Sequence, residues 1–337
     1  MSSDVRVAVV GATGAVGAEI IKVLDRTKWR PHRVVPVASP ATKIHFVEYG
    51  DSNVAVEDAR YVDLGDLDAV ILAAPEGPCR DLGQAAVREG LAVVDLSGAF
   101  RDDADVPLVV PWINPEVLGQ ALSRNLVAIP EGPALAIASA LSPLVRAGVV
   151  ASVEATVLQP ASSWGRDGIE ELSRQVTALF NVSTPPRRVF PQGLAFDVMP
   201  VVGELEPDSV TDAERRAVAQ VQALLGGLPT QVTVVGVPVF SGLSAELRIQ
   251  THRRIMPDLI SQILEDGGVL LSDDPGARYV PRPRNVEGEA LVHAGRLRVS
   301  ADGTVLRMWV ALDNLRATAT VAVGTTAALL RDTLRGA

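Results

Sequence analysis

Only one cysteine, Cys79, occurs in 337 residues. A single sulfur excludes an intramolecular disulfide and any cysteine-based zinc cluster, both of which need several thiols at set spacings, and it fits a reducing cytoplasm. The four histidines, His32, His45, His252 and His293, are scattered without metal-ligand spacing, so no metal is expected. No uninterrupted apolar run reaches the roughly 18 residues of a membrane span, because Arg146 breaks one candidate and glycine and threonine near Val321 to Ala328 break another. The apolar stretch from Val7 to Ala18 is cut by glycines and followed by Glu19, which argues against a signal peptide. Positive charge is also in deficit, with 31 Lys and Arg against 40 Asp and Glu and a net charge of −9. That is the wrong sign for neutralising phosphate backbones over a broad face, so nucleic acid is not an expected partner.

Hydrophobic residues make up 47% of the chain and charged residues 21%, the composition of a folded globular protein long enough for two domains. The early part alternates β-branched runs with helical spacing. Strands are expected over 5–10, 33–38, 68–74 and 91–96, with helices over 18–25 and 80–89. This alternation implies right-handed crossovers and a parallel, doubly covered sheet. From about Ala151 the strands lengthen, over 151–159, 231–240, 243–251 and 304–312, separated by helices over 168–179, 212–225 and 257–267. That texture predicts a mixed or antiparallel sheet in a second, α+β domain, followed by a final helix over 319–334.

Gly11, Gly14 and Gly17 lie where the first strand meets the first helix, around Thr13, Ala15 and Val16. Glycines there permit a tight turn and close approach of a ligand, and the helix N-terminus offers N–H groups and positive dipole to a phosphate. A dinucleotide site is the sharp reading; strand–helix packing alone is the plain one. The second strand ends in Ser39, Pro40, Ala41, Thr42 and Lys43, with hydroxyls and a cation and no acid, which suits the 2′-phosphate of NADP better than the bare ribose of NAD.

Several segments in order resemble one family: Gly11 to Gly17, Val93 to Arg101, Val106 to Asn114, Ala140 to Leu144, Leu194 to Pro200, Val237 to Gly242 and Trp309 to Arg316. The chain resembles aspartate-semialdehyde dehydrogenases, most closely the branch called USG-1-like proteins, nearly end to end. The resemblance implies a Rossmann-type NADP-binding domain over 1–130 with 315–337, and a central substrate and homodimerisation domain over 131–314. In active members a cysteine attacks the aldehyde carbonyl, hydride passes to NADP, phosphate releases the acyl group, and a histidine serves as base. The matched positions here are Gly132 for the cysteine and Leu243 for the histidine, while Gly236 replaces an arginine that holds the substrate carboxylate. The resemblance therefore implies no catalytic residue of the family kind. It keeps Gly11, Thr13, Gly14, Ala15, Val16, Gly17, Ser39, Thr42 and Asn314 as cofactor positions. Arg101, Gln159 and Arg216 remain as substrate or anion positions. Ala41, Leu96 and Thr318 depart from the family pattern, which implies weakened or lost NADP binding.

Two further readings stay open: an oxidoreductase whose hydride transfer needs no covalent intermediate, and a noncatalytic partner that forms heterodimers with an active homologue. Cys79 beside Arg80 is a remote candidate nucleophile in a loop; Glu131 is expected to cap the helix beginning near Pro133. Thr251 to Arg254 reads as a solvated run leading into a helix, and Trp164 is expected near a ligand cleft.

Overall fold

The structure, a computed structural model, describes residues 4–121, 124–272 and 280–336. The chain divides into two compact units, Met1–Pro130 with Thr318–Ala337, and Glu131–Ala317.

The first unit contains β1 (Arg6–Val10), α1 (Ala15–Arg26), β2 (Arg33–Ala38), the hairpin β3 (Phe46–Tyr49) and β4 (Ser52–Ala55), β5 (Glu57–Asp58), β6 (Ala69–Leu72), α2 (Glu76–Arg88), β7 (Ala92–Asp95), α3 (Leu118–Ala121) and β8 (Leu126–Ala128). Its six-stranded sheet runs β5-β2-β1-β6-β7-β8 with every pair parallel. Parallel strands need crossover connections that cover both faces, and the β-branched runs comply: Val7 to Val10 and all of β6 are buried. In α1, Gly17, Ile20, Ile21 and Leu24 recur at helical spacing and form its buried face.

The second unit contains α4 (Gly132–Arg146), β9 (Val150–Gln159), α5 (Gly165–Phe180), α6 (Asp212–Leu224), β10 (Thr230–Gly236), β11 (Leu243–Thr251), α7 (Pro257–Asp266), β12 (Leu270–Leu271), β13 (His293–Val299) and β14 (Val305–Leu312). The final helix α8 (Asn314–Gly336) starts here and continues into the first unit's portion of chain. The sheet order is β10-β9-β11-β14-β13-β12, with parallel β9/β10 and β12/β13 pairs and antiparallel pairs between them. This is the expected parallel sheet followed by a mixed one. Helix α6 opens with a capping box in which Thr211 Oγ1 accepts from Glu214 N and Glu214 accepts from Thr211 N. The other Glu214 oxygen accepts from Val234 N on β10 at 3.1 Å, tying the helix to the sheet.

Some boundaries differ from expectation. Strand β10 ends at Gly236 rather than running to Phe240, because Pro238 has no N–H for the ladder. Helix α2 begins at Glu76, not Arg80, since Pro78 in a first turn loses only an N–H that has no helical acceptor. Helix α8 begins at Asn314, five residues ahead of the expected start. Thr251 belongs to β11 and is buried; its Oγ1 donates to the Arg253 and Thr304 carbonyls, so the basic run leaves a strand instead of opening a helix.

Glu171 on α5 is 5% exposed and organises the chain beyond its own helix. Its carboxylate accepts from the backbone N–H groups of Arg188, Val189 and Phe190 and from Gln175 Nε2. Burial pushes the carboxyl up, and these four donors outweigh it and hold the group below its ordinary value of 4.5. A depressed acid stabilises the fold above its unfolded pKa and loses that contribution as pH falls through the folded value. Glu171→Ala is expected to cost about 3 kcal/mol, because it strands buried N–H groups, and to flatten the acid limb of stability near pH 4, read by urea unfolding at several pH values.

Candidate functional site

In the first unit the chain moves from β1 outward through β2 to β5, then returns to β6 on the other side of β1. The turn after β1 therefore stands where strand order reverses, the position at which open α/β sheets bind ligands. Gly11 there has φ +84°, and a Cβ on it would run into the Ala73 backbone. A Cβ on Gly17 would strike the Gly11 carbonyl, so turn and helix can meet this closely only with glycine at both places. Gly14 is the N-cap of α1 and supplies no side-chain cap, which leaves the first-turn N–H groups of Ala15, Val16 and Gly17 for an anion.

The loop after β2 closes on the same turn. Thr42 Oγ1 donates to Thr13 Oγ1 at 3.3 Å and accepts from Ile44 N, while Ser39 Oγ accepts from Ala41 N. Thr13 and Thr42 thus form a hydroxyl pair, while Ser39 Oγ serves the backbone of its own loop and Lys43, next to Thr42 in the chain, is exposed. Arg101 lies further along the sheet's carboxyl edge. Its Nε donates to the Ile129 carbonyl at 3.3 Å and Nη2 to the Leu96 carbonyl at 3.2 Å, joining the loops that follow β8 and β7. Arg101 Nη1 and Glu76 Oε1 both lie 2.9 Å from the point a Gly98 Cβ would occupy, so a carboxylate accompanies this cation.

Cys79 is not the loop thiol read from the sequence. It sits in α2, fully buried, with its Sγ on the Ala74 carbonyl at 3.5 Å. Burial pushes the thiol up to about 11, and Arg80, expected to lower it, is engaged by Asp103 and lies over the Phe100 ring. A protonated, inaccessible sulfur is no nucleophile.

In the second unit the site gathers at the N-terminus of α4. Gly132 opens this helix, and a Cβ built on it would lie 3.5 Å from Leu243 Cδ1 and 3.8 Å from Asn314 Cβ. Leu243, the first residue of β11, is fully buried. Asn314 Oδ1 accepts from Ser162 Oγ and Gly242 N, both at 3.1 Å, which fixes its carboxamide beside the pair. Gln159 ends β9 opposite Gly236 on β10. The space beside Gly236 is filled: a Cβ there would lie 2.9 Å from Met199 Cε and 3.4 Å from the Trp164 ring. Met199 and Gly236 exchange backbone hydrogen bonds of 2.8 Å, and Trp164 meets Phe190 edge to face with centroids 5.1 Å apart.

Glu131 is the N-cap residue of α4, yet its side chain does not cap the helix as expected; Oε1 accepts from Arg216 Nε at 3.1 Å. Arg216 also donates Nη1 to Asp212 Oδ2. Burial pushes Asp212 up, but Arg216 and backbone donors bring its carboxyl below the ordinary range, so it is ionised at neutral pH. Gln220 Oε1 accepts from Glu131 N at 2.7 Å. Sequence reasoning named Arg216 and Glu131 and missed Asp212, Gln220 and Met199. Asp212 and Gln220 are legible, being one helical turn either side of Arg216. The Met199 contact rests on a bridge between distant segments and has no local signal.

Residues 141–317 match the semialdehyde dehydrogenase dimerisation domain, and residues 6–121 match that family's NAD-binding domain. The chain belongs to the semialdehyde dehydrogenase family. It is 32% identical to a USG-1 protein homolog of Azotobacter vinelandii and 29% identical to the aspartate-semialdehyde dehydrogenase of Rickettsia conorii, each alignment covering 94% of both chains. Its fold matches the crystal structure of aspartate semialdehyde dehydrogenase II from Vibrio cholerae complexed with ASA at a TM-score of 0.93 and 28% identity, over 98% of this chain and 99% of that one. Among the described residues of this family member no helix is long and apolar enough to cross a membrane.

The thiol assignment is open to measurement. At pH 8 the rise from 9.0 to about 11 removes most of the thiolate from Cys79. Alkylation in the native state is expected to be slower than in urea by about a hundredfold from ionisation alone, and slower still from burial.

Proposed function

We propose that this protein is a homologue of aspartate-semialdehyde dehydrogenase, of the USG-1-like branch, that binds NADP(H) but has lost the covalent chemistry of the parent enzyme. The observation that carries the reading is that a Cβ built on Gly132 would lie 3.5 Å from Leu243 Cδ1. The positions that the resemblance assigns to nucleophile and base face each other, and they hold a hydrogen atom and an isobutyl group. One cannot attack a carbonyl and the other cannot take a proton. At the position of the carboxylate-binding arginine, Gly236 is closed over by Met199 and Trp164. Losing one member of a cooperating set costs orders of magnitude in rate, and here three positions have changed together.

For the cofactor, Gly11, Thr13, Gly14, Ala15, Val16 and Gly17 hold the pyrophosphate in this reading, with Ser39 and Thr42 at the 2′-phosphate. The loop Ser39 to Lys43, with two hydroxyls, a cation and no acid, favours NADP over NAD. The protein acts as a cytoplasmic homodimer. Its second unit is of the dimerisation type and exposes an aromatic pair, Phe180 with Phe196, that a second copy would cover.

Calorimetric titration with NADPH, NADH and NADP, with an aspartate-semialdehyde assay on the same preparation, tests the proposal. NADPH is expected to bind with micromolar affinity, NADH about tenfold more weakly or worse, and no turnover is expected. Turnover near that of an active family member overturns the reading of Gly132 and Leu243. Absence of dinucleotide binding overturns the cofactor assignment.

A further inference from the structure

The two faces of the second unit's sheet carry different residues. On one, Ala155, Leu247 and Met308 stand side by side on β9, β11 and β14, all buried, and α4 packs against these strands. The alternate residues point to the other face, where Glu154, Thr156, Gln231, Thr233 and Arg307 are exposed. Strands β9 and β10 are parallel, and parallel pairs are as a rule covered on both faces. Over this second face lies an open groove of about 700 Å³, lined by those five residues and walled on one side by Val218 of α6.

Charge is ordered across the groove floor. Arg248, Arg307 and Arg298 are direct cross-strand partners on β11, β14 and β13, and like charges set opposite one another cost stability unless something answers them. Within the chain the answer is incomplete. Glu154 Oε1 takes Arg248 at 3.0 Å, whereas Arg307 and Arg298 reach only Glu246, at 3.6 and 3.7 Å, beyond hydrogen-bonding distance. Glu154 is half exposed and keeps its second carboxylate oxygen for another donor. The acid therefore stands at the β9 end of the row and the unanswered cations at the β14 and β13 end. A patch with opposite charges at its two ends complements itself, which is what a two-fold interface requires. Leu158, Val235 and Trp309 give the same face half-buried apolar surface, and arginine and tryptophan are residues that interface centres favour.

We propose that a second copy of this chain docks on this face, sheet against sheet about a two-fold axis along β11, with Glu154 of each copy paired to Arg307 of its partner. That exchange of charges makes the association sensitive to salt and sets the choice of partner in favour of an identical chain. The proposal rests on the homodimer reading above and assigns it a face in addition to the aromatic pair. Its test separates a dimer built elsewhere on the molecule from no dimer at all.

Sedimentation equilibrium on the full chain is expected to show a dimer that weakens about tenfold between about 50 and about 500 mM NaCl. Thr156 is exposed on the groove floor, so Thr156→Arg leaves the monomer intact by circular dichroism and is expected to weaken the dimer at least about a hundredfold. Arg307→Glu and Glu154→Arg are each expected to weaken self-association about tenfold or more, since each sets like charges against one another at both symmetric contacts. Mixed in equal amounts, these two variants are expected to form a heterodimer of nearly the unaltered affinity, because both contacts are then again between opposite charges. Recovery on mixing also shows that each variant is folded. A dimer indifferent to Thr156→Arg, or a mixture of folded variants that regains nothing, overturns the proposal and leaves the homodimer reading standing. A monomer at every salt concentration overturns both.

Discussion

The burial of α4 governs the candidate site in the second unit. Twelve successive residues, Pro133 to Leu144, are buried, which an amphipathic surface helix would not allow. Packed on all sides, this helix has little freedom to slide or rotate, since interiors are as dense as organic crystals. Its first residue is therefore held against the first residue of β11, a strand paired on both sides by β9 and β14. With the backbone so fixed, the chemistry available at the contact is decided by what two side chains carry. Here they carry none.

The polar groups around that contact are directed at one another. Asn314 spends its oxygen on Ser162 and Gly242, Gln220 spends its own on the backbone of Glu131, and Arg216 is divided between Glu131 and Asp212. In the first unit, Arg101 serves carbonyl oxygens at the ends of two loops and Arg80 serves Asp103. Charged side chains of the kind that receive anions are at work as internal ties, and such ties make a site rigid while reducing what it can attract.

Much of this was legible in the chain and some was not, for definable reasons. Strands β2 and β11 coincide with the β-branched runs that signalled them, because their burial pattern and their composition agree. The start of α2 was obscured by Pro75, Gly77 and Pro78, residues that break a helix anywhere except at its beginning. The juxtaposition of positions 132 and 243, where a Cβ built on Gly132 would lie 3.5 Å from Leu243 Cδ1, comes from the meeting of α4 with β11, and no local rule predicts it or the closing of Met199 over Gly236. Glu131 had the residue type and place of a cap, but an arginine two helices later in the sequence competes for its carboxylate, and competition between distant segments leaves no trace in a local pattern.

The meeting of Gly17 with the carbonyl of Gly11 has an evolutionary corollary. Because the strand–turn–helix junction cannot close with any larger residue at these two places, selection for folding alone preserves them. A lineage that ceased to use dinucleotides would go on displaying this part of the fingerprint for as long as it kept the sheet. The glycines thus record the architecture of the turn, and the more informative history is written in exposed neighbours the fold leaves at liberty to vary, such as Ala41 and Lys43.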